Sequence, residues 1–121
     1  MGVSQLWSSE AIFCFKITGT LTIAEFKQLQ AAAVAGIANQ RKVNILVILE
    51  DFLGWEKGPG WDDTSFSSEH DQNIEKMAIV GPEQWRDLVN AFVGKGLRPV
   101  IIDYFLPSQL EMVKKWISTE I

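Results

Sequence analysis

The chain of 121 residues carries 15 acidic against 11 basic side chains, a formal net charge of −4, and 47% hydrophobic residues. That length suits one core and a single domain over 1–121, and the hydrophobic share excludes a disordered or low-complexity chain. The acidic balance argues against nucleic acid, whose binding rests on clustered Lys and Arg. The lone cysteine, Cys14, excludes an intrachain disulfide and a cysteine-cluster metal site, and it fits a cytoplasmic protein. Apolar runs fall far short of the roughly 20 residues a membrane-spanning helix needs. The N-terminal MGVSQLWSSE lacks the basic stretch and apolar core of a secretory signal, so none is expected.

Residues 4–18 read as two extended segments broken near Ser8-Ser9. The second, 11–18, rests on its β-branched and aromatic content and is expected to end at Gly19. Cys14 lies inside it as a small buried hydrophobe. Thr22 and Glu25 have the spacing of a capping box, in which each side chain satisfies an orphan backbone N–H of the first helical turn. A helix should follow, with Phe26, Leu29, Ala33, Val34 and Ile37 facing inward and an end near Asn39. Residues 43–49 are short, β-branched and apolar on both faces apart from Asn44, the pattern of a buried central strand.

Residues 61–76 carry a thin apolar stripe, Phe66, His70 and Ile74, at steps of four, and read as a surface helix. A strand over 77–80 is ended by Gly81-Pro82, and Pro82 suits the first turn of a further helix. Trp85, Leu88, Val89 and Phe92 form the expected inner face of that helix. After Gly94-Lys95-Gly96 come a last strand, 100–105, and a final helix. Ser108 and Glu111 repeat the capping-box spacing there, and Leu110, Val113, Trp116 and Ile117 face inward. The order β-β-α-β-α-β-α-β-α predicts an α/β fold: a mainly parallel sheet with an N-terminal hairpin and right-handed crossovers.

Ligands of such sheets tend to bind beyond the carboxyl ends of the strands. The stretch EDFLGWEKGPGWDD, 50–63, follows the central strand there, and Gly81 follows the next one. It places Phe52, Leu53, Trp55 and Trp61 among Gly54, Gly58 and Gly60, in a segment expected to lack regular structure. Eight of the chain's 15 acidic residues fall between Glu50 and Glu75, which opposes anionic lipid or phosphate. Phe52, Leu53, Trp55, Trp61, Phe66 and His70 are the candidate ligand-binding or membrane-contacting lid, with the three glycines as hinges. Trp55 and Trp61 either seal the core edge or close a pocket. Trp85 and Trp116, at helical spacing among aliphatic residues, read as core.

Chemistry finds little footing. There is no G-x-S-x-G elbow, and Gly54, Gly58 and Gly60 lack the Gly-Lys-Ser/Thr ending of a phosphate loop. One histidine, His70, near Glu69, Asp71 and Asp62 is a thin basis for a metal. Neither an enzyme, a metal nor a cofactor is expected.

The chain resembles the bacterial SpoIIAA-like proteins, relatives of the STAS domain of anti-sigma-factor antagonists. The resemblance is carried by Glu50-Asp51-Phe52-Leu53-Gly54-Trp55, Trp61, Phe66, His70, Ala78-Ile79-Val80-Gly81, Trp85, Tyr104-Phe105 and Trp116-Ile117. It implies a twisted sheet with helices, a mobile helical region after the third strand, and a cavity for a nonpolar, lipid-like ligand with peripheral membrane contact. Antagonists of the STAS type carry a phosphorylatable serine just after the corresponding strand. Here Asp51-Phe52-Leu53-Gly54 offers no hydroxyl, so that switch is not expected. Two functions follow as expectations: a carrier or sensor of a nonpolar ligand, or a module that docks a regulatory protein or a second copy of itself.

Overall fold

The computed structural model describes residues 3–9, 12–37, 43–57, 73–93 and 100–118. Strands β1 (Val3–Ser9), β2 (Ile12–Leu21), β3 (Val43–Trp55), β4 (Ile74–Val80) and β5 (Ile101–Phe105) form one sheet in the order β1-β2-β3-β4-β5. β1 and β2 pair antiparallel, and the remaining pairs are parallel. Helix α1 (Ile23–Ile37) joins β2 to β3, α2 (Arg86–Val93) joins β4 to β5, and α3 (Leu110–Ser118) follows β5.

The expected capping box opens α1. The Thr22 N–H donates to Glu25 Oε1 at 3.0 Å, and the Glu25 N–H donates to Thr22 Oγ1 at 3.1 Å. β2 does not stop at Gly19. That residue sits at φ 72° where the register with β3 shifts, and the strand continues through the bulge to Leu21.

The sheet is covered on both faces. Phe13, Phe15, Ile45, Leu49 and Ile79 pack with Phe26 and Leu29 of α1 and Val89 and Val93 of α2 on one side. Cys14, Leu46, Ala78 and Val80 pack under Val113 and Ile117 of α3 on the other. Leu46 is fully buried, a side chain whose removal from water contributes about 1.5–3 kcal/mol. Two-sided burial is why 43–49 reads as a nearly continuous apolar run. It also leaves Cys14 inaccessible: desolvation raises its thiol pKa, and the nearby Lys114 partly opposes this.

Several expectations are corrected. β4 begins at Ile74, so 74–76 are strand rather than the end of a surface helix; the rest of that expected helix, 61–72, lies outside the described residues. Lys76, which looked like surface, is only 4% exposed. Its ammonium donates to Trp116 O at 2.8 Å and lies 5.0 Å from the centroid of the Trp116 ring. Asn44 completes the arrangement, with Nδ2 donating to Ile117 O at 2.7 Å and Oδ1 accepting from the Lys76 N–H at 3.1 Å. The carbonyls at the end of α3 would otherwise be orphaned, and a cation is favoured at that end of the helix dipole.

The chain after Pro82 forms a single 3₁₀ turn, Glu83–Trp85, before α2 begins. That tighter turn changes the helical phase. Val89 turns inward and Leu88, expected inside, is 57% exposed. α3 is likewise preceded by a 3₁₀ turn, Pro107–Gln109, and its cap is not the Ser108–Glu111 pair. Gln109 Oε1 accepts from the Leu106 N–H at 2.8 Å, and the Gln109 N–H donates to Leu106 O at 2.8 Å. Its inner face is as expected, with Val113 and Ile117 buried and Leu110 and Trp116 packed beside them.

Candidate functional site: the carboxyl edge of the sheet

The first part of the segment expected to be irregular, 50–55, is strand, and 58–63 lie outside the described residues. β3 continues from Leu49 to Trp55 against β2, whereas its last pair with β4 is Ile48↔Val80. Its far end therefore has one hydrogen-bonded neighbour strand among the described residues. Along it, Thr18 pairs with Glu50, Gly19 with Phe52, Thr20 with Gly54 and Leu21 with Trp55, so Asp51 and Leu53 are extra residues opposite β2. Asp51 adopts a left-handed backbone, φ 52°, which Asp tolerates better than most residues.

This irregularity inverts the inward/outward phase of the strand. Strict alternation from the buried Leu49 would send Asp51 and Leu53 inward and Phe52 outward. Instead Phe52 is 5% exposed within the core, and Leu53 is 71% exposed. Gly54 follows at φ 107°, where any side chain would be strained, and a Cβ there would lie 3.5 Å from Trp85 Cη2.

Trp55 ends the strand inside an aromatic cluster. Its ring centroid is 5.3 Å from Phe52, 6.1 Å from Trp85 and 5.1 Å from Phe92; Phe52 meets Trp85 at 5.0 Å, and Phe26 of α1 meets Phe92 of α2 at 5.3 Å. Most of these contacts are edge-to-face, the arrangement favoured by ring quadrupoles. The polar atoms of the cluster fare less well. The indole nitrogens of Trp55 and Trp85 are buried with no hydrogen-bond partner among the described residues, as is Asn90 Oδ1 on α2. Leaving such a group unpaired costs about 1–3 kcal/mol.

The chain leaving Trp55 is tied down by Glu56. Its N–H donates to Leu21 O at 2.9 Å, and its Oε1 accepts from the Ile23 N–H at 2.7 Å. A carboxylate from just beyond β3 thus joins Thr22 and Glu25 at the positive end of α1. Next to this edge, Tyr104 Oη donates to Pro82 O at 2.7 Å under the Arg86 guanidinium, itself paired with Glu83 at 2.6 Å. Burial pushes the Tyr104 hydroxyl up to about 12, with Arg86 opposing and Glu83 adding to the rise.

Of the sequence-predicted site residues, Phe52, Leu53, Gly54 and Trp55 thus share one strand end, Phe52 as core, Leu53 as surface and Trp55 as half-buried cluster. Trp61, Phe66, His70, Gly58 and Gly60 lie outside the described residues. Sequence reading assigned Trp85 and Phe92 to the core without linking them to Trp55, and it counted Glu56 only as charge. Trp85 lies one residue before α2 and Phe92 within it, and that spacing was the available signal. Among the described residues no group of three His, Cys, Asp or Glu side chains could hold a metal ion, and no helix is long and apolar enough to cross a membrane.

A parallel sheet with an antiparallel first strand and a bulged central strand end defines a small α/β domain with its candidate site at the carboxyl edge. The model of the SpoIIAA-like family matches residues 12–118, and the chain belongs to that family. Among solved structures it is similar to an uncharacterized protein from the DUF3478 family with a SpoIIAA-like fold from Shewanella loihica PV-4. The two are 19% identical, with a TM-score of 0.68 over 96% of this chain and 94% of the other. At that identity the likeness concerns the fold. No curated protein matches the sequence.

Proposed function

We propose that this protein is a non-enzymatic binding domain that takes a nonpolar, lipid-like ligand at the carboxyl edge of its sheet, as a carrier or sensor. The observation that carries the reading is the cluster of Phe26, Phe52, Trp55, Trp85 and Phe92, gathered from α1, α2, the end of β3 and the 3₁₀ turn. Such a cluster offers large apolar area at the place where α/β sheets bind ligands. Asp51 is exposed next to Phe52 and Glu56 directly follows Trp55, so an uncharged ligand is favoured over an anionic one, and adsorption to anionic vesicles should be weak. Leu53, projecting from the bulge, is the residue suited to touch a membrane interface.

The test is native mass spectrometry of protein purified without detergent, with lipid extraction, and tryptophan fluorescence during titration with fatty acids and neutral acyl esters. A bound apolar mass and an emission change reduced in Trp55→Phe support the reading. The absence of both a bound ligand and a spectral change sinks it.

The exposure of Leu53 on a STAS-like fold favours a second reading, a module that docks a regulatory protein or another copy of the chain. Sedimentation separates the two: self-association abolished by Leu53→Ala, with ligand binding intact, supports the docking module.

A further inference from the structure

We infer that the ligand of this edge carries a neutral oxygen acceptor beside its apolar body, received by the indole N–H groups of Trp55 and Trp85. This deepens the nonpolar-ligand reading above and rests on it. Buried polar groups are rarely left unpaired, and here two indole donors have no partner among the described residues while their rings touch, with centroids 6.1 Å apart at 82°. An indole nitrogen can only donate, so the missing partner is an acceptor, and a carbonyl oxygen has two lone pairs with which to meet two donors. Among the described residues none supplies it: Asn90 Oδ1 is itself buried and unpaired, so it reaches neither indole.

Charge narrows the acceptor. Arg86, the cation nearest Trp85 in sequence, is held by Glu83 through both Nε at 2.6 Å and Nη2 at 3.2 Å. Glu50 is paired with Lys16 at 3.5 Å, whereas Asp51 stands exposed next to Phe52 and Glu56 directly follows Trp55. A carboxylate placed among these aromatic rings would be desolvated next to like charge, whereas an ester, amide or ketone carbonyl would not. The route in is the contact between the two tryptophans. Trp55 is the last residue of its strand and Trp85 the last of a three-residue 3₁₀ turn, so each ring can shift without breaking the middle of an element.

The experiment uses the full chain with ¹⁵N-labelled tryptophan, the Trp55 and Trp85 indole signals being assigned with Trp55→Phe and Trp85→Phe, and three probes of matched length: 2-nonanone, nonane and nonanoate. The ketone should move both indole proton signals downfield in the parent protein, nonane should move neither downfield, and nonanoate should bind more weakly than the ketone. Each Phe variant should weaken ketone binding roughly three- to tenfold, the worth of one net hydrogen bond, and change nonane binding less than twofold. Equal affinity for ketone and nonane with no downfield shift overturns the acceptor while the apolar site stands. Nonanoate binding tighter than ketone overturns its neutrality. Failure of every probe to bind overturns both readings, and the shifts in the parent protein decide the matter even if a Phe variant folds poorly.

Discussion

Replacing Gly81 by alanine would put a Cβ 2.5 Å from Tyr104 Oη, 3.0 Å from Leu49 Cδ1 and 3.2 Å from Leu49 Cβ. Real Cβ atoms do not approach other atoms as closely as the first of these, so the Tyr104 ring must move. Moving it breaks the 2.7 Å hydrogen bond to Pro82 O, worth about 0.5–1.5 kcal/mol net. Pushing Leu49, which is buried in the core, adds an overpacking cost of about 1–3 kcal/mol. The sum is about 1.5–4.5 kcal/mol, at roughly 3–5 °C of Tm for each kcal/mol at this chain length. Urea unfolding followed by tryptophan fluorescence measures it. The mechanism also makes a coupling prediction: in Gly81→Ala with Tyr104→Phe, the atom that clashes is gone, so the double variant should be less destabilised than the sum of the singles by about 1 kcal/mol. A Gly81→Ala protein within about 0.5 kcal/mol of the parent, or strictly additive costs in the cycle, would show that Tyr104 and Leu49 do not need the space at Gly81.

Tyr104 is the sole tyrosine, so its ionisation can be followed by ultraviolet absorbance without overlap from a second phenol. Its folded value of about 12 lies above the ordinary 10, so the fold favours the neutral hydroxyl. That contribution is fully present below about pH 10 and is lost as pH rises from about 10 to 12, while Tyr104→Phe should show a shallower loss over the same range. A phenol titrating near 10 in the folded protein would contradict this. Asp51→Gly should stabilise the protein by about 0.5 kcal/mol by relieving the left-handed backbone, and Asp51→Val should cost more than about 1 kcal/mol, both read from urea midpoints. Glu56→Ala should cost about 1–2 kcal/mol by uncapping the Ile23 N–H, with Glu56→Gln losing less because an acceptor remains; equal losses in the two would show that the hydrogen bond is not the cause.

How the site was legible differs from residue to residue. Trp55 stood out because an indole among glycines and acids has no local inner face to explain it, and it does belong to an aromatic cluster at the carboxyl edge. Its partners Trp85 and Phe92 come from more than 25 residues away, and local spacing explained them well enough as core. Phe52 and Leu53 looked equivalent in the sequence and are opposite in the fold. Their fates depend on one left-handed residue, Asp51, whose conformation is tied to the register against β2.

Local sequence alone specifies the strands and helices on either side of the segment between β3 and β4, the capping box at Thr22 and Glu25, the buried central strand and the inner face of the last helix. Each of these rests on interactions within a few residues or on a repeating apolar period, and both are written along the chain. Only the tertiary structure decided that Lys76 is buried, that Glu56 caps a helix 33 residues before it and that Gly81 is small because Tyr104 and Leu49 need its space. In each case the deciding atom comes from a distant element. A polar or small residue announces its chemistry locally, but its partner is chosen by the packing of the sheet.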